Sequence, residues 1–470
     1  MNAQASQIFD PLGTITKSPS AIHLHALSER SSDFSHSASR IADYMLQDQS
    51  GKILQKKFRV QICLKRKIQK DLNVQVCWNE SDKKAHFGNV IRCGSVWVCP
   101  VCAKKITEKR REELSIANDL WKFGVAVKTF NFKTVPFAAE LKKLKKKFVG
   151  PVIPDIKYVR GYTYLVTLTN PHYANDHLED LREKQKNAMD SFFSDRMGKS
   201  IFKRMGKHYH ITNYEVTYGQ NGWHPHHHIL VFSDRYLSIH DFSELHDDLS
   251  NHWANCISKA GLRNLKDTEK HIACDLQDGT YAAEYVAKWG IEHELTKGHI
   301  KKGKEGGLTP FDLLRLSFED KPIKSSYFNL FTGELVEQEK KPSELFKEFA
   351  YAFKGARQLF WSSGLKDVFG LRDIHDSEIM DEITEEAVLL TTLEDIVFWL
   401  ICKYKKRAQF LDCITRDKLS GCLGNGSAEL LISELSQYEI SILEEINNTD
   451  FIVPKLIHEV PPVISNFSLF

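Results

Sequence analysis

No stretch of about 18 consecutive apolar residues occurs in the sequence, so no segment has the length and apolarity of a membrane-spanning helix. The richest run, Ile396–Cys402, is far too short and gives way to Lys403–Arg407. Met1–Ser50 is polar, serine-rich and without the basic-then-apolar layout of a secretion signal. A poorly ordered arm, a cytoplasmic location and no membrane partner are expected from this. Internal repeats are absent too, which excludes a solenoid. A large net charge is missing, since 64 Lys and Arg against 61 Asp and Glu leave +3. That near-balance hides an asymmetry. From Arg372 onward 8 basic residues face 18 acidic ones, so residues 1–371 carry +13. A basic body with an acidic tail suggests a polyanionic partner for the body, solvated surface charge being the plainer alternative. The ten cysteines are scattered except for one tight group, which favours reduced thiols and a metal site over a disulfide framework.

With 470 residues, 42% hydrophobic and 27% charged, the chain can build two or three domains. Residues 1–50 read as a flexible arm, 51–150 as a basic zinc-binding and DNA-binding segment, 151–330 as the central domain and 331–470 as a mostly helical, acidic region. Gly150, Pro151 and Pro154 mark one boundary. The fold class expected is α+β, with a central antiparallel sheet covered by helices. Tyr162–Thr169 is β-branched and aromatic and predicts a strand. Asn175–Met197, Asp241–Lys259 and Gly279–Glu294 have helical spacing, and His271–Leu276 predicts a short strand. His210–Tyr218 and His226–Phe232 predict strands joined through Gly219-Gln220-Asn221-Gly222. From Thr309 on, mostly helix is expected.

The segment Trp223-His224-Pro225-His226-His227-His228 is the most informative. Strand side chains alternate between faces, so His224, His226 and His228 share one face and His227 takes the other. Two hairpin registers are open: Glu215 opposite His228, or Glu215 opposite His226. Both put Glu215 on the histidine face. Two imidazoles and a carboxylate on adjacent strands suit a divalent cation that polarises a phosphate. Farther on, Tyr281, Tyr285 and Lys288 fall on one stripe of the expected helix. A phenol with a pKa of about 10 is a poor nucleophile unless a cation favours its phenolate, and Lys288 is placed to do that. The cysteine group is Cys93-x5-Cys99-x2-Cys102, whose Cys-Pro-Val-Cys portion suits a zinc knuckle. Cys77 is expected as the fourth ligand, with His86 and then Cys63 as alternatives. The basic flank of Lys104, Lys105, Lys109, Arg110 and Arg111 is either a phosphate-contacting surface or a solvated helix face.

Taken in order, Tyr164–Asn170 (YLVTLTN), Gly222–Phe232 (GWHPHHHILVF) and Tyr281–Lys288 resemble the three motifs of the HUH endonucleases, closest to plasmid rolling-circle replication initiators. Gly307–Leu314 and Lys354–Leu365 resemble stretches that follow the catalytic helix in plasmid members. The resemblance implies His226 and His228, with Glu215, as ligands of Mg²⁺ or Mn²⁺, and Tyr285 as nucleophile. Where many members have a glutamate four residues before the nucleophile this chain has Tyr281, either a second nucleophile or a packing residue. The implied reaction is transesterification: one strand of origin DNA is nicked, a 5′-phosphotyrosine forms and the released 3′-hydroxyl primes host polymerase. Plasmid origin DNA, double- and single-stranded, is the implied partner, with a host helicase beside the polymerase. A transposase of the same superfamily and a non-catalytic zinc-containing regulator are the competing readings.

Overall fold

The structure, a computed structural model, describes residues 59–80, 83–123, 161–278, 307–317, 321–329, 332–375, 379, 387–423 and 426–448. Its centre is a five-stranded antiparallel sheet. The strands are β3 (Tyr162–Thr169), β4 (Lys207–Gly219), β5 (Gly222–Ser233), β6 (Cys274–Asp278) and β9 (Leu359–Trp361), in the order β6-β3-β5-β4-β9. The α+β reading therefore holds, and β3 spans the residues that its β-branched and aromatic run predicts. The β4–β5 hairpin turns at Gln220-Asn221, with Gly219 paired to Gly222. Gly222 has φ +84, and a Cβ there would stand 2.6 Å from the Ala174 Cα, so both conformation and space demand glycine.

Each face of the sheet has its own cover. Alternation turns Tyr214, Val216, His227, Ile229 and Val231 toward one side, where α2 (Leu178–Ser194), α3 (Arg196–Arg204) and α4 (Ile239–Lys259) lie. The continuous helix expected over 175–197 instead breaks at Asp195, and α3 follows it. Toward the other side, Leu165, Ile211, Leu230 and Phe232 pack against Leu114 and Ala117 of α1 (Pro100–Phe123) and against Leu365 and Phe369. This second layer covers one end of that face. The histidine end of β5 continues beyond it on the same face.

A second sheet joins distant parts of the chain. β1 (Val74–Asn79) pairs with β2 (Lys84–Gly88) on one side and with β10 (Val388–Leu393) on the other. The acidic region and the N-terminal basic segment, set apart as 331–470 and 51–150 in sequence, thus share one sheet. Past helices α5 (Pro310–Leu316) and α6 (Pro342–Ala352), helices α7 (Asp395–Lys403), α8 (Arg407–Ser420) and α9 (Ser427–Asn448) complete that side. Phe87 packs edge-on against Phe398 at 5.6 Å and stacks on Phe410 at 5.9 Å. The region after Thr309 is mostly helical, as expected, with a few short strands among the helices. A hairpin of β7 (Ile323–Asn329) and β8 (Glu334–Lys340), together with β9 and β10, lies there.

Candidate metal centre

The observed register pairs Glu215 with His226, Asn213 with His228 and Thr217 with His224. On the neighbouring strand Thr167 lies opposite His228 and Thr169 opposite His226. Glu215 Oε2 stands 3.2 Å from His226 Nε2 and 3.7 Å from His228 Nε2. Ligand atoms of these residues all lie within 4.8 Å of one another.

Hydrogen bonds orient the two rings. His226 Nδ1 lies 3.2 Å from the His224 carbonyl oxygen, which only accepts, so Nδ1 donates there and Nε2 is turned toward Glu215. His228 Nδ1 meets the Thr167 hydroxyl at 3.0 Å, leaving its Nε2 toward the same point. Burial, with His226 and His227 beside it, holds the His228 pKa well below the ordinary histidine range, so this imidazole is neutral at pH 7. Glu215 Oε2 is itself buried and makes no hydrogen bond. Two imidazole nitrogens and a carboxylate oxygen converging on one point fit a cation among them. His224, on the same face, packs against His172 with ring centres 4.8 Å apart. Burial lowers the pKa of His224 to about 3. His227 takes the opposite face and stacks on Tyr214 at 4.3 Å.

A second convergence brings Cys63, Cys93, Cys99 and Cys102 together. Cys63 Sγ is 3.7 Å from Cys99 Sγ and 3.6 Å from Cys102 Sγ, and Cys93 Sγ is 3.6 Å from Cys102 Sγ. A disulfide needs about 2.05 Å. Metal–sulfur bonds of about 2.3 Å in a tetrahedron put sulfurs roughly 3.8 Å apart, which these edges match. The Cys93 N–H points at Cys63 Sγ at 3.4 Å and the Ser95 N–H at Cys93 Sγ at 3.5 Å, bonds that favour thiolate character. The sulfurs act on one another as a unit: hydrogen bonds among them push the Cys93 and Cys99 thiols up and hold the Cys102 thiol below its usual range.

Cys77 is not part of this group, contrary to the sequence expectation. On β1, Val74, Val76 and Trp78 enter the core that also holds the four grouped cysteines. Alternation turns Cys77 the other way, toward Gln75 and Gly88. His86 faces Cys77 in the register and lies outside the group as well. The signal available in the sequence was the alternation Val-x-Val-Cys-Trp, which already opposes Cys77 to its apolar neighbours.

Along the basic flank, Arg110 donates to Glu113 at 2.9 Å and to the Ile374 carbonyl at 2.6 Å, and Arg111 pairs with Glu108. These two arginines hold α1 and its surroundings. Lys104, Lys105 and Lys109 lie on the same helix, half-buried. Tyr281, Tyr285 and Lys288 lie outside the described residues; the described chain reaches Asp278 on β6, two strands from the histidines. The N-terminal arm and the boundary at Gly150–Pro154 also lie outside them.

Comparison with curated proteins finds a match of 26% identity over 331 residues to the protein rep of Streptomyces lividans. This chain is a relative of a Rep protein. The match covers 62% of this chain and 66% of its relative, just under two thirds of that protein's length. No family model matches this Rep relative, and no solved structure does. Among the described residues no helix is long and apolar enough to cross a membrane.

Proposed function

We propose that this chain initiates plasmid replication by nicking one strand of origin DNA, as an HUH-type endonuclease. The observation that carries the reading is the convergence of Glu215, His226 and His228 on one point of a five-stranded antiparallel sheet. The similarity to a Rep protein supports it.

In this reading Glu215, His226 and His228 hold Mg²⁺ or Mn²⁺. Such an ion, when bound, supplies positive charge to the scissile phosphate. Thr167 and the His224 carbonyl fix the two imidazoles, so the ligand geometry is set before DNA arrives. The hydroxyl of Tyr285 attacks the phosphorus in line. The P–O3′ bond breaks as the O–P bond to tyrosine forms, the 3′-oxygen takes up a proton, and phosphodiester energy is kept in the 5′-phosphotyrosine. Lys288 favours the phenolate, and Tyr281 is the candidate second nucleophile. The 3′-hydroxyl then serves host polymerase, with a host helicase opening the duplex. Cys63, Cys93, Cys99 and Cys102 hold Zn²⁺ as a structural ion, and Lys104, Lys105 and Lys109 contact DNA phosphates.

The test incubates the full chain with Mn²⁺ and an end-labelled single-stranded origin oligonucleotide and resolves products on a denaturing gel. A covalent protein–DNA band is expected. Tyr285→Phe abolishes it, while Tyr281→Phe leaves single-round nicking intact. A wild-type chain that forms no adduct with any origin segment overturns the reading, and the reverse pattern of the two variants overturns the nucleophile assignment.

A further inference from the structure

The acidic C-terminal helices meet the cysteine group through one buried cation. Arg407, the first residue of α8, is 3% exposed. Its Nη1 donates to the carbonyl oxygen of Leu64 at 2.6 Å and to that of Cys63 at 3.3 Å. Among the described residues it makes no ion pair with a carboxylate. A guanidinium taken out of water needs an anion nearby. Burial lowers the Arg407 pKa, and the nearby sulfurs of Cys402 on α7, Cys63 and Cys99 oppose that lowering when they carry charge.

Four thiolates around a divalent ion carry a net charge of −2, buried here among apolar residues and itself in need of a counter-charge. Each side of this contact supplies what the other lacks. The surrounding joints tie the same two parts of the chain. Lys67 pairs with Asp395 at 2.7 Å, the Ala85 N–H donates to Thr415 Oγ1 at 3.0 Å, and β10 extends the sheet from β1.

We propose that Arg407 is the counter-cation of the metal-loaded Cys63–Cys93–Cys99–Cys102 group, so that metal binding locks residues 387–448 onto the N-terminal segment. This rests on the reading of that group as a metal site. Arg407 acts as a positioning residue: it touches the ligand backbone, not the ion. When the metal leaves, the buried sulfurs become neutral thiols, the net charge of the group moves from −2 toward zero and the guanidinium is left poorly compensated, which loosens α7 to α9 from β1 and β2.

The experiment uses the full chain as purified. Bound metal is counted by elemental mass spectrometry, its transfer to excess chelator is timed, and limited proteolysis is mapped by peptide mass. Arg407→Met is expected to release metal at least about tenfold faster than wild type, and Arg407→Lys less than that. Chelated wild type is expected to be cut about tenfold faster within 387–448 than the loaded chain, while cleavage in 161–278 stays unchanged. Using wild type for the second measurement keeps the test independent of whether Arg407→Met folds. If metal is bound but both its release from Arg407→Met and the proteolysis after chelation match the loaded wild type, the coupling is wrong. If the purified chain holds no metal and Cys63→Ser changes nothing, the metal reading itself fails.

Discussion

Thr167 shows how a single hydroxyl decides what a histidine does. Its Oγ1 sits 3.0 Å from His228 Nδ1, and the partner it offers there frees Nε2 for the point shared with Glu215. Removing it with Thr167→Val keeps the β-branched shape that the strand needs but leaves the imidazole free to rotate or change tautomer. Mn²⁺ affinity, read by titration calorimetry, is expected to fall roughly 10- to 100-fold, with thermal stability little changed. Unaltered affinity would mean that the hydroxyl is incidental. The histidines and Glu215 were legible in the sequence because strand alternation alone puts them on one face. Thr167 was not singled out, since its role depends on β3 lying beside β5 instead of beside some other strand. Cys63 illustrates the same limit: nothing in local spacing links it to cysteines 30 or more residues away, and only the packed fold brings them together.

At the scale of elements, the α2–α3 layer holds a half-buried imidazole. His210 of β4 stacks on Phe193 at 4.2 Å, and its Nδ1 is buried without a hydrogen-bond partner. Burial first, and Lys207 second, lower its pKa to about 3. In the unfolded chain the same group titrates near 6.5. Between those values the unfolded state takes up a proton that the folded state refuses, so the stability contribution is complete above about pH 6.5 and is lost as pH falls toward 3. The loss amounts to at most about 1.4 kcal/mol per pH unit. His210→Phe keeps a ring against Phe193 and removes the titration. Urea unfolding at pH 7 and pH 5 should therefore show a smaller stability gap for the variant than for wild type; an equal gap would locate the acid sensitivity elsewhere. Helix ends at this scale follow from ordinary chemistry. Ser238 and Asp241 form a reciprocal cap at the start of α4, and Thr309 and Asp312 do so for the helix Pro310–Leu316.

For the whole molecule, the organisation turns on β1 being flanked on both sides. Deleting residues 387–470 removes β10, leaves a row of β1 backbone groups unpaired and strips Phe398 and Phe410 from Phe87. The truncated chain is expected to aggregate and to lose the metal held by the cysteine group, as read by size-exclusion chromatography and metal content. A monomeric, metal-loaded truncation would show the N-terminal segment to be self-sufficient. The acidic character of the C-terminal region does not by itself explain its place here. Its buried contacts are mostly apolar, with Arg407 and Asp417 as the charged residues among them.

Sequence alone determined the α+β class, the histidine strand with its opposing glutamate, the tight cysteine turn and the charge asymmetry, because each is written in spacing along a few neighbouring residues. Periods of two and of about 3.6, turn glycines and Cys-x2-Cys are local geometry, and local geometry survives without a fold. The tertiary structure decided the fourth cysteine, the register of the hairpin, the hydrogen-bond partners of the two ligand imidazoles and the pairing of the C-terminal region with β1. Those depend on which segments meet across long stretches of chain. What selects them is how completely apolar surface and polar groups are satisfied in the packed molecule, a property of the whole that no short window contains.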